Sequence, residues 1–531
     1  MIKVFINGVI YTYDESQPIV QAVVIQNGRF IDMGSSTEML LQWEHQTDET
    51  IDLQGKTVTP GLIDSHLHLA GIAGNFLDLD ITGVTSKDNM LEQIRIQATT
   101  LEQGEWLIGR GWDEHLFADG SIPTIEELDE VAPHCPLFIP RICGHAFLVN
   151  NQALEVSQYH PTIEIPEGGA VVLYEETGKP TGLLLESASE LITKYIPKKS
   201  YEELKNAMRR AIIFAMEKGL TSVHTNDPTH LGGLGQTYQI YDELLNEEQL
   251  GLRCNLLIDH IYLKELKQQG MYAGYGNETL QIGAVKIFAD GALGRRTALL
   301  SEPYADAQGV YGDGMFDQNT LSEIIKEARD LSMPVAVHTI GDQALENVLD
   351  VLDQFPPVAY RDRLIHVQVM REALMERLAI PSRIADIQPR FVASDFPWVE
   401  ARLGPERTKL SYAWKSLIES GVICAGGSDA PVEPIDPLLG IHAAITRTHP
   451  EEDRCYNEKE RLSIYEAFKL FTVMGAYPTN EETIKGTISR GRLADMTVYS
   501  DNPFELEHAD RLLEINVEMT IISGDIKYER D

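Results

Sequence analysis

The chain has 531 residues, of which 44 are Lys or Arg and 81 are Asp or Glu, a net charge of -37. Such a charge repels nucleic acid and anionic membrane surfaces, so neither is expected as a partner. No apolar run approaches the ~18 residues that a helical span needs. The start, "MIKVFINGVIYTYDESQ", lacks a basic stretch followed by an apolar segment, so a cytoplasmic protein acting on a small molecule is expected.

The length exceeds what one small core requires, which predicts a large domain with an accessory module. In chain order, "IKVFINGVIYTYD" and "AVVIQNGRFIDMG" alternate apolar and polar residues around Asn-Gly pairs, the pattern of hairpins. "ADMTVYS" and "EMTIISGDIKYER" near the other end behave likewise. The two ends are therefore expected to pair into one small β-sandwich, with residues 1–60 as its first part and 485–531 as its second.

Between them, residues 61–484 read as short apolar strands followed by amphipathic helices, which implies a parallel sheet. The strands are "GLIDSHLHL", "GLTSVHTND", "LRCNLLIDH", "GAVKIFADG", "MPVAVHTIGD", "DRLIHVQVM", "IADIQPRF" and "GVICAGGSDAP". Eight such units close a (β/α)₈ TIM barrel. The interval after the first strand is too long for one unit, so an insertion is expected over about residues 75–199. Its stretches "GEWLIGRGWDEHLF" and "PLFIPRICGHAFLVN" look like hairpins over the barrel mouth.

Chemistry in such a barrel belongs at the C-terminal ends of the strands. His66 and His68 stand there on the first strand, Lys286 on the fourth, His338 on the fifth, His366 on the sixth and Asp429 on the eighth. Residues i and i+2 of a strand point to one side, so His66 and His68 can reach one ion. Val285 and Ile287 flank Lys286 and face outward, which turns Lys286 toward the barrel interior. The five cysteines are scattered without a Cys-x-x-Cys, so nitrogen and oxygen must hold any metal.

With these residues in view the chain resembles the amidohydrolase superfamily, and within it amidohydrolase family 3, which includes N-substituted formamide deformylases. The marks are "PGLIDSHLHL", "GAVKIFADGALGRRTA", "AVHTIGD", "IHVQ", "GGSDAPV" and "GTISRGRLADMTVY". The resemblance implies one or two divalent ions, and nitrogen and oxygen ligands with open positions suit zinc above all. His66 and His68 would hold one ion with Asp429, His338 and His366 the other, and Lys286 would bridge both as a carbamate. Ile365, Thr339 and Arg295 depart from the family pattern, which has Glu, Ala and Ser there.

The reaction expected is hydrolysis of a C–N bond, an amide or a related group, by a metal-bound hydroxide with Asp429 as general base and acid. Trp112, Asp113, His145, His224, Asp290 and Arg295 are candidates to orient the substrate. Each also has a structural reading: Trp112 filling a core, Asp113 capping a helix, Arg295 pairing with Asp290. The competing functions are a single-metal deaminase of a heterocyclic ring, built on His66, His68, one further His and Asp429, and a catalytically silent barrel used for binding or assembly. A homodimer is left open.

Overall fold

The computed structural model describes residues 1–118, 120–449 and 454–531. They form two compact units, one of residues 1–72 with 208–531 and one of residues 73–207. The first holds both the terminal strands and the barrel.

The terminal strands make two sheets. In one, Ile2–Ile6 lies between Ala22–Gln26 and Glu49–Asp52, with Arg29–Gly34 beyond. In the other, Thr57–Pro60 lies between Val9–Tyr11 and Met496–Tyr499, with Val498 opposite Val58, and Val517–Ile522 and Asp525–Glu529 follow outward. Phe5, Val23 and Ile25 from the first sheet share a buried core with Ile10, Val58, Met496, Val498 and Ile521 from the second. The alternating apolar residues of both chain ends are thus the inner faces of one sandwich.

The two Asn-Gly pairs behave differently. Asn27 and Gly28 have φ of 52° and 74° between the paired residues Gln26 and Arg29, the tight turn of a two-residue hairpin. Asn7-Gly8 instead carries the chain from one sheet to the other, because Ile2–Ile6 pairs with Ala22–Gln26 and Val9–Tyr11 with Thr57–Pro60. A hairpin at Asn7-Gly8 would separate Phe5 and Ile10 from opposite sides of the shared core.

The barrel strands are β1 (Leu62–Leu67), β2 (Leu220–Thr225), β3 (Arg253–Asp259), β4 (Leu280–Phe288), β5 (Val335–Thr339), β6 (Asp362–His366), β7 (Arg383–Ile387) and β8 (Cys424–Gly426). They form one parallel sheet in chain order, with the eight segments expected. Almost every residue of these strands is buried, as for a sheet covered on both faces. A representative connection is helix Gln318–Asp330, which Asp317 starts by accepting the Thr320 amide at 2.8 Å and which buries Leu321, Ile325 and Ala328.

The seam between β8 and β1 is closed beyond the end of the β8 strand. The Asp64 carboxylate accepts the Ser428 amide at 3.1 Å, and the Asp429 amide donates to the His66 carbonyl at 2.8 Å. A Cβ on Gly427 would stand 2.6 Å from the His66 amide nitrogen, so only glycine permits this approach.

The 73–207 unit has its own sheet, in the order Ala170–Leu173, Pro180–Leu185, Ala146–Val149, Leu137–Pro140, Leu107–Arg110 and Leu79–Asp80. Leu137–Pro140 and Ala146–Val149 are the hairpin expected of "PLFIPRICGHAFLVN". Leu107–Arg110, by contrast, runs parallel to Leu137–Pro140, because helix Ile125–Val131 lies between them and returns the chain to the same end. Among the described residues no helix is long and apolar enough to cross a membrane.

Candidate metal centre

Strand geometry converges six side chains. His66 is the penultimate residue of β1, fully buried, and His68 lies just past the strand with its ring 5.3 Å from that of His66. His66 Nε2 lies 3.4 Å and His68 Nε2 3.3 Å from Asp429 Oδ1. Lys286, in β4 and fully buried, places Nζ 3.2 Å from His66 Nε2. The rings of His338 and His366 are 4.5 Å apart, and the His366 ring is 5.9 Å from that of His66. Ligand atoms of His66, His366 and Asp429 lie within 4.8 Å of one another, close enough for one ion.

Neighbouring groups fix which imidazole nitrogen is free. His68 Nδ1–H donates to the Asn226 carbonyl at 3.1 Å, leaving Nε2 toward Asp429. His366 Nδ1–H donates to Gln388 Oε1 at 2.8 Å, leaving Nε2, and Gln388 is itself oriented by donating to the Asp386 carbonyl at 3.1 Å. His338 Nε2–H donates to the Gly291 carbonyl at 3.0 Å, which leaves Nδ1. His338 and His366 therefore present a lone pair at the other nitrogen, as metal-ligating histidines do, while His68 turns its Nε2 to the Asp429 carboxylate.

Protonation suits the same chemistry. Burial, with the charge of Lys286 added, holds His66 well below the ordinary imidazole range, and burial with His366 does so for His338. Burial brings His366 down to about 4 and Lys286 down to about 8. Burial acts to raise the Asp429 carboxyl and to lower His68, but the pairing of the two outweighs it in both, so that Asp429 stays below its ordinary value and His68 above.

The backbone is strained where it aims these groups. His366, Val367 and Asp429 have φ of 77°, 48° and 58°, left-handed values that cost about 1–3 kcal/mol each in a residue other than glycine. The seam bonds at Asp429 and the Val367 amide, which donates to the Thr339 carbonyl at 2.9 Å, hold this conformation.

The other candidates fall elsewhere. Asp290 is buried and accepts the amides of Leu299, Ile340 and Gly341 at 2.8–3.0 Å, so it organises the loops after β4 and β5, 3.6 Å from His338 Nε2. Arg295 is exposed, and both Asp290 oxygens are taken by backbone rather than by that guanidinium. His224 is buried in β2, where burial and the charges of Arg363 and Lys485 hold it well below the ordinary imidazole range. In the 73–207 unit, Trp112 is buried with Nε1 donating to the Ile139 carbonyl, Asp113 starts a short 3-10 turn and pairs with Arg141 at 2.7 Å, and exposed His145 pairs with Glu186 at 2.9 Å.

The residues missed at the sequence level are those behind the ligands: Asp64, Asn226, Gln388 and the Gly291 carbonyl. Gln388 had a signal, a polar residue just past an apolar strand; the carbonyls had none.

A parallel eight-stranded barrel with imidazoles, a lysine and a carboxylate gathered at its strand ends is the architecture of a metal-dependent hydrolase. The chain belongs to the amidohydrolase family, whose pattern matches residues 49–528. It is 41% identical to the YtcJ protein of Bacillus subtilis (strain 168) over 98% of each chain. It is 24% identical to the N-substituted formamide deformylase of Arthrobacter pascens over 99% of this chain and 98% of that one. The crystal structure of an uncharacterized metal-dependent hydrolase from Pyrococcus horikoshii OT3 superimposes with a TM-score of 0.77 at 29% identity, covering 96% of this chain and 99% of the other.

Proposed function

We propose that this protein hydrolyses a C–N bond, an amide or a close relative, in a small molecule, using divalent ions, zinc above all, held by the strand-end residues. The observation that supports this is the gathering of His66, His68, His338 and His366 with Lys286 and Asp429 at the strand ends, with His66, His366 and Asp429 offering ligand atoms within 4.8 Å of one another. His66, His68 and Asp429 would hold one ion, His338 and His366 the other. Lys286 would stand between them as a carbamate; its burial favours the neutral amine, the form that takes up carbon dioxide.

Bound there, a divalent cation supplies acidification of a water, from 15.7 to about 7, and polarisation of the substrate carbonyl. Asp429, held ionised beside His66 and His68, accepts the proton of the attacking water and delivers it to the departing nitrogen. The relationship to a formamide deformylase supports a C–N bond as the target. A second reading rests on the compact trio of His66, His366 and Asp429, which suits a single ion and the deamination of a heterocyclic ring.

The test is metal content measured together with turnover on N-formyl and N-acyl amines and on amino-substituted heterocycles. Two ions with amide turnover are expected. Asp429→Asn should keep most of the metal and lose roughly 10²–10⁴ in rate. A metal-free preparation with full activity would overturn the proposal, and one ion with ring deamination would favour the second reading.

A further inference from the structure

The residue two places beyond Lys286 on β4 points the same way and stands one layer nearer the barrel mouth. That residue is Phe288. Its ring centroid is 4.8 Å from Lys286 Nζ and 5.5 Å from the His338 ring, yet the residue is 36% exposed. A phenyl ring packed on two groups of the centre and still open on its far side is a surface that any molecule held at those groups must meet. Two more apolar side chains are exposed one backbone bond from strand-end residues. Met315, 56% exposed, donates its amide to the Ala289 carbonyl, and Val432, 64% exposed, donates to that of Asp429.

The charges around the mouth point the same way. In the three residues that follow each barrel strand the only Lys or Arg is Arg390, and its Nε is bound to Glu433 at 3.2 Å. The carboxylates there are engaged too: Asp227 holds the Ala70 amide and the Tyr241 hydroxyl, Asp342 holds Ser301, and Asp290 holds three amides. Outside the centre itself, an anionic substituent in this layer would meet only Arg390, already paired with Glu433, and His260, which burial holds below the ordinary imidazole range, and burying a poorly paired carboxylate beside apolar groups is costly.

We infer that Phe288 sets specificity, and that the molecule bound at the centre carries a neutral aromatic or bulky apolar group, not a carboxylate, next to its reacting bond. This rests on the reading of the strand-end cluster as a metal-dependent hydrolytic site. The stacking or edge contact it requires is of the ordinary aromatic kind.

The test compares equilibrium binding to the zinc-loaded protein of two metal-chelating probes, phenylacetohydroxamate and the monohydroxamate of malonate, by calorimetry. In parallel, turnover is measured on N-formyl amines bearing benzyl or carboxymethyl groups. The phenyl probe should bind roughly ten- to a hundredfold tighter. In Phe288→Ala that ratio should collapse toward one, and Phe288→Leu should restore part of it. For any amide that turns over, the loss should fall on KM more than on kcat. If the phenyl preference is present and lost in Phe288→Ala while no amide is hydrolysed, the inference stands and the C–N reaction fails. Equal or tighter binding of the carboxylate probe, or a preference that survives Phe288→Ala in a variant with full metal content, overturns it.

Discussion

Arg363 and Asp386 form an ion pair inside the barrel, both almost fully buried, with Nε 2.6 Å from Oδ2; the same guanidinium donates to the carbonyl of Ser65, the residue before His66. Replacing Arg363 by Met keeps the length and removes the charge, which strands a buried carboxylate. Burial already raises the Asp386 carboxyl above its ordinary 3.8, even against the pull of Arg363. Asp64 and Asp290, buried without a cation bonded to them, stand at about 7. Removing Arg363 takes away the interaction that opposes the rise of Asp386, and breaking a buried pair by deleting one partner costs about 3–5 kcal/mol.

The sign follows from proton linkage. Because burial raises the Asp386 carboxyl in the native state, the folded variant binds more protons than the unfolded chain above 3.8, and its stability falls as pH rises toward the raised native value. The deficit of Arg363→Met relative to the parent is therefore larger at pH 8 than at pH 5. Urea denaturation of chelator-treated protein, followed by circular dichroism at both pH values, measures it without the contribution of bound metal. Arg363→Met with Asp386→Leu should recover most of the loss, since apolar replacement of a whole buried pair is often neutral. A double variant as unstable as the single one, or a deficit that widens toward pH 5, would refute the reasoning.

Two further outcomes concern the centre itself. Gln388→Leu removes the acceptor that holds His366 Nδ1–H and should lower metal affinity about 10–100-fold, measured by competition with a chelator; unchanged affinity would mean that Gln388 does not orient His366. Lys286→Ala should lose metal and activity together, with partial recovery in a high concentration of a short carboxylic acid; a variant retaining two ions and normal turnover would rule out a bridging lysine.

The barrel was legible because several of its strands are apolar runs that carry, at or just past their ends, a residue that has no business in a core unless it serves chemistry. His66, Lys286, His338 and Asp429 each break such a run, and alternation alone turns Lys286 inward. What was not legible depends on partners far apart in the chain. Arg363 and Asp386 both interrupt apolar strands, but their pairing arises only when β6 and β7 lie side by side. The carbonyls of Asn226 and Gly291 carry no side-chain signature, so the orientation of His68 and His338 could not be read. Asn7-Gly8 and Asn27-Gly28 are the same dipeptide, and only the core shared by Phe5 and Ile10 decides that one is a corner and the other a hairpin.

The strand Thr57–Pro60 finds one of its two neighbours early in Val9–Tyr11, but the other, Met496–Tyr499, leaves the ribosome only after the whole barrel has been made. At ordinary elongation rates of 5–20 residues per second that interval is roughly 20–90 s. Throughout it one edge of Thr57–Pro60 offers unpaired amides and carbonyls to any passing strand. The newborn chain thus has a window for intermolecular pairing that closes with the arrival of Met496–Tyr499, and a ribosome stalled before that point would release a product with a permanently adhesive edge.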